Sequence, residues 1–125
     1  MRDFRRLAAW QHSHRLTLKI YELTAGLPKD ELYGLTSQLR RAAASIPANI
    51  AEGCGRDGDA EFARYLSMAM GSANELEYHL ILSRDLGYLS REAHQDAEQA
   101  LDEVKRTLSG LLNRVRTDRR QQRGS

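Results

Sequence analysis

A single cysteine, Cys54, stands in the 125-residue sequence, so no intramolecular disulfide can form and no cysteine pair exists for a structural zinc site. Prolines are scarce as well, with only Pro28 and Pro47, and β-branched runs are few, a composition that favours helix. No apolar stretch approaches the ~20 residues of a membrane span. The basic start, residues 1–10, leads into an interrupted amphipathic pattern instead of a signal-peptide apolar run, and the expected location is the cytoplasm, with no membrane partner. Metal and nucleophile patterns are also missing. No Glu-x-x-His brings carboxylate and imidazole to one turn, no Gly-x-Ser-x-Gly elbow presents a serine, and the glycines after Gly53 follow a helical stretch with no Gly-Lys-Ser/Thr run. The expectation is a non-enzymatic protein with no metal and no cofactor. A net charge of +2 is too mild to argue for nucleic acid by itself.

What the chain does contain is amphipathic helix. Its length suits one domain, and the periodicity predicts four helices: Phe4 to Ala25, a second from the Pro28-Lys29-Asp30-Glu31 entry to about Gly53, Ala60 to Leu86, and Ser90 to about Val115. Short turns between them make an all-α, antiparallel up-down-up-down four-helix bundle the natural solution. Residues 1–116 are read as the bundle domain and 117–125 as a basic, flexible tail. The first helix carries two apolar stripes, one of Leu7, Trp10, His14, Leu18, Tyr21 and Ala25, the other of Ala9, Leu16, Ile20, Leu23 and Leu27. One stripe can enter the core. The other implies a subunit interface, because a monomer would leave it in water. On that stripe His14 reads as a core or interface histidine.

The densest stretch is Gln38 to Arg56. Leu35, Leu39, Ala42, Ile46, Ile50 and Gly53 share one helix face, and Gln38, Arg41, Ser45, Asn49, Glu52 and Arg56 form a polar stripe beside it. Pro47 deletes the hydrogen bond to the carbonyl of Ala43; Ser45 or Asn49 is expected to satisfy that carbonyl, and the small alanines nearby admit a close neighbour. In an antiparallel hairpin, facing residue numbers sum to roughly 115, which predicts a contact of Glu77 with Arg41 or Gln38. Cys54, at a helix C-terminus, has the wrong dipole for an activated thiolate.

The run QLRRAAASIPANIAEGCGR, with PKDELYGL before it and EFARYLSMAMGSANELE and LGYL after it, resembles the bacterial four-helix-bundle family named for proteins encoded in intervening sequences of 23S ribosomal RNA genes. The likeness runs from about Phe4 to Leu112. Ala44, Ala48 and Cys54 stand where relatives often carry Val or Ser. The resemblance implies a homopentamer, a ring of bundles around a central channel, and includes relatives that serve reverse-transcriptase retroelements as basic accessory rings.

Two functional readings follow. Residues 114–125 hold five arginines and one aspartate, a local +4 against −2 for everything before them. With Arg5, Arg6 and Arg40, the arginines Arg114, Arg116, Arg119, Arg120 and Arg123 are the candidate contacts to RNA or DNA phosphates, multiplied by oligomer symmetry. The second reading is a structural or interaction module that receives an unidentified protein or small ligand along the polar stripe.

Overall fold

Four α-helices make up the chain in its computed structural model, which describes residues 2–124: α1 (Ala8–Thr24), α2 (Leu35–Cys54), α3 (Gly58–Asp85) and α4 (Arg91–Gly124). Two short 3₁₀ turns, Phe4–Arg6 and Lys29–Glu31, precede α1 and α2, and no strand occurs among the described residues. The helix starts follow from local chemistry. The Glu31 carboxylate accepts the Leu35 amide at 3.3 Å and the Tyr88 hydroxyl at 3.1 Å, tying the entry of α2 to the end of α3. Gly34 leaves room for this carboxylate, since a Cβ there would stand 2.7 Å from Glu31 Oε1 and make the side chain shift. Ser90 Oγ accepts the Ala93 amide at 3.0 Å and so caps α4. Asp57 occupies the corresponding place before α3 but makes no side-chain cap bond; there the turn depends on Gly58 at φ +81°.

One core runs through all four helices. Leu16, Ile20, Leu39, Ile46, Ile50, Phe62, Leu66, Leu76, Leu80, Leu101, Val104 and Leu108 are all fully buried, and the apolar face expected of α2 is buried throughout. Of the two stripes on α1, the Ala9–Leu16–Ile20–Leu27 side enters the core, joined by Ser13 and Thr24. The other side faces outward: Leu18 is 54% and Tyr21 46% exposed, while Trp10 stacks on His14 with ring centroids 5.0 Å apart. Facing pairs run in opposite senses along neighbouring helices, His12 with Glu103 and Lys19 with Asp96 between α1 and α4.

Two expectations about α2 need correction. The Ala43 carbonyl, deprived of its partner by Pro47, accepts the Thr17 hydroxyl of α1 at 3.1 Å. Ser45 donates to Ala42 O and Asn49 to Ser45 O. The alanine face lets α1 come close enough for a short side chain to bridge the helices, so the deficit is met from outside α2. Glu77 contacts neither Arg41 nor Gln38 but accepts from Lys105 of α4 at 2.8 Å, and Arg41 pairs instead with Glu75. The hairpin register behind the expectation was sound, since a Cβ on Gly53 would meet Phe62 and Tyr65. The error lay in rotation: Glu77 points toward α4, and Glu75, two residues away and ~200° around the helix, points toward α2.

The fourth helix overshoots its expected end near Val115 and continues to Gly124. Residues 117–124, read as tail from the sequence, are helical, and Ser125 lies outside the described residues.

Candidate nucleic-acid interface

The N-terminal turn, the α2–α3 connection and the end of α4 lie at the same end of the molecule. The Arg2 amide donates to Cys54 O, its guanidinium pairs with Asp59 at 2.5 Å and lies 4.2 Å over the Phe62 ring, and this anchors the Phe4–Arg6 turn beside the α2–α3 connection. The opposed numbering of α1 and α4 brings that turn level with the region of Gly110, and Arg116 donates to Ser67 of α3 at 3.3 Å. Arg5, Arg6, Arg114, Arg116, Arg119 and Arg120 are all exposed.

Their electrostatics are uneven. Arg5 is tied to Asp3, whose carboxyl is held below its ordinary value first by the Arg5 amide and then by its guanidinium. Arg2, Arg56 and Arg64 are also spent, on Asp59, Glu52 and Glu61. Arg6, Arg114, Arg116, Arg119 and Arg120 have no carboxylate partner among the described residues. Arg116, Arg119, Arg120 and Asn113 outline a shallow recess of about 400 Å³ on α4. Uncompensated guanidinium groups that share one end are what a polyanion's phosphates require.

Two candidates fall outside this group. Arg40 is half-buried toward the other end, where it donates to Thr24 Oγ1 at 2.8 Å and lies 4.7 Å over the Tyr21 ring, apart from the α4 arginines. The Arg123 side chain lies outside the described residues.

Along the polar stripe of α2 the groups satisfy one another. Arg41 Nη2 donates to Gln38 at 2.7 Å and to Glu75, Arg56 pairs with Glu52 at 2.6 Å, and Ser45 and Asn49 bond within their own helix. Glu75 also meets His79 Nε2 at 3.3 Å, and its carboxyl is held below the ordinary value, first by Arg41 and then by His79. The His79 Nδ1 atom is buried without a partner. Sequence reasoning missed this Gln38–Arg41–Glu75–His79 cluster, although the four-residue spacing of Glu75 and His79 was a readable signal.

Cys54 is buried, which pushes its thiol above the ordinary value, and it lies under a hollow of about 400 Å³ lined by Arg2, Phe4, Arg5, Ala51 and Gly55. His94 is only 3% exposed, with the Glu98 carboxylate 3.7 Å away. No group of three or more His, Cys, Asp or Glu among the described residues could hold a metal ion, and none of the helices is long and apolar enough to cross a membrane.

Comparison with known proteins adds a family and a fold relative. A family model described as 23S rRNA-intervening sequence protein matches residues 5–110. A crystal structure described as a protein with unknown function from the S23 ribosomal protein family of Bacteroides thetaiotaomicron VPI-5482 is similar, with 26% identity and a TM-score of 0.78. That match covers 84% of this chain and 95% of the other. No curated protein matches.

Proposed function

The chain belongs to the 23S rRNA-intervening sequence protein family, and from that premise we propose a non-enzymatic, cytoplasmic, homo-oligomeric protein that associates with RNA or DNA through its arginine-rich end. The observation that carries this reading is that Arg6, Arg114, Arg116, Arg119 and Arg120 all lie toward one end of the molecule with no carboxylate partner among the described residues. Phosphate contacts of this type release counterions and need no base recognition. The subunit is an up-down-up-down bundle, and the assembly is a homopentamer built on the outward stripe of α1, where Leu18 and Tyr21 would otherwise stay in water. Symmetry then repeats the basic end in every subunit, so that a modest patch becomes a ring.

A second reading has one observation in its favour. The buried, unpartnered Nδ1 of His79 beside Arg41 and Glu75 supports a protein or small ligand bound at the polar stripe.

Mass measured by light scattering, with and without a short RNA and at low and moderate salt, tests the principal reading. The expected result is an oligomer that takes up RNA at low salt, releases it as salt rises, and fails to bind when Arg116, Arg119 and Arg120 are changed to Gln. A stable monomer overturns the assembly, and an oligomer indifferent to RNA and DNA moves the search to the His79 cluster.

A further inference from the structure

The last turns of α4 are a continuation of a rigid helix, and their arginines are arranged on it. At ~100° per residue, positions 116, 119 and 120 fall within an arc of about 100°, while Asp118, the one acid in this stretch, falls outside it on the far side. Among the described residues, Val115 is the last that is buried. Every side chain from Arg116 to Gln122 is exposed, so the helix carries this arc roughly 13 Å past its final core contact. We propose that this helical extension docks in the major groove of double-helical DNA, with its arginines on the phosphates of the groove walls. The inference rests on the nucleic-acid reading above and specifies its partner.

Three features favour a DNA duplex over the alternatives. An α-helix with side chains is about 10–12 Å across, and the B-form major groove is about 12 Å wide, whereas the A-form major groove of RNA is too deep and narrow to receive it. Positions 119 and 120 mark the two edges of the arc, ~100° apart, so a helix lying in a groove presents one arginine toward each wall. Single-strand sites need free aromatic faces for bases to stack on, and this end offers none: Phe4 packs against Trp10, Trp10 stacks on His14, and Tyr65 is covered by Arg56 and Arg64.

Fluorescence anisotropy on the full chain, with a short labelled DNA duplex, the matching RNA duplex and a single strand, tests the proposal. The DNA duplex is expected to bind at least tenfold tighter than the other two. Changing Arg116, Arg119 and Arg120 together to Gln lowers duplex affinity by about tenfold per arginine near 0.1 M salt and flattens the slope of log K against log salt by roughly 3. Thr117→Pro keeps every charge but breaks the helix in the turn before it, residues 113–116, and so uncouples the extension from the bundle; it is expected to weaken duplex binding while single-strand binding is unchanged. Circular dichroism confirms that the core of each variant is folded. Equal binding of duplex and single strand, a preference for the RNA duplex, or a T117P protein that binds the DNA duplex like wild type overturns this inference and leaves the broader reading standing. Failure of all three nucleic acids to bind overturns both.

Discussion

Replacing Thr17 with Val removes a hydroxyl and keeps the side chain's shape, which isolates the bridge from α1 to the Ala43 carbonyl. That hydroxyl lies 2.8 Å from Ser13 O and 3.1 Å from Ala43 O, and the two carbonyls differ in what they lose. Ser13 O keeps the ordinary helical amide partner four residues on, whereas Ala43 is fully buried and faces Pro47, which has no N–H. The loss therefore combines one hydrogen bond, about 1 kcal/mol, with a buried acceptor left unsatisfied, about 1–3 kcal/mol. A destabilisation of about 2 kcal/mol is expected in urea unfolding followed by circular dichroism, at one protein concentration because association would shift the midpoint. Pro47→Ala supplies the missing N–H, so T17V should cost about 1 kcal/mol less in that background. Costs of T17V that agree within about 0.5 kcal/mol with and without Pro47 would refute the reasoning, since additivity means that the two residues share no partner.

Other consequences follow from single contacts. Gly53→Ala places a Cβ 2.8 Å from Tyr65 Cβ and 3.0 Å from Phe62 Cδ1; α2 and α3 must separate, and the expected loss in thermal or urea unfolding is about 1–3 kcal/mol despite alanine's better helix propensity. The Glu75 carboxyl is held below its ordinary value, so its contribution is fully present above the usual carboxylate range and is lost as pH falls through the lowered value. Glu75→Gln should flatten the acid limb of the stability profile and cost no more than about 1 kcal/mol at neutral pH, because both partners of its Arg41 pair are over a third exposed. Leu18→Glu on the outward side of α1 should leave the helical content of the subunit unchanged and reduce the mass seen by light scattering.

The interior of α2 was legible because leucine, isoleucine and alanine recur at helical spacing, and burial follows that spacing directly. What the sequence hid was rotation between helices. Thr17 looks like an ordinary helix residue until α1 is turned against α2, and Glu75 and Glu77 are told apart only once Lys105 of α4 has taken one of them. Arg40 reads as exposed by its position, yet Thr24 and the Tyr21 ring on α1 draw it in. The end of α4 was missed for a different reason. Apolar periodicity stops at Val115, but arginine and glutamine are good helix formers, and cations suit a helix C-terminus, so the backbone continues after the core has ended. Of the candidate site, the α4 arginines and Arg6 could be read from charge alone. Their freedom from carboxylates, in contrast to Arg2, Arg56 and Arg64, required the folded pairs.

The salt dependence of nucleic-acid binding by the intact protein tests the central claim most directly. Titrations between about 50 and 200 mM salt should give a straight line of log K against log salt that falls by roughly 0.9 for each phosphate engaged on duplex DNA, and the line should flatten when Arg116, Arg119 and Arg120 are neutralised. A slope near zero, or one unchanged by those substitutions, would contradict a basic end that acts on phosphates.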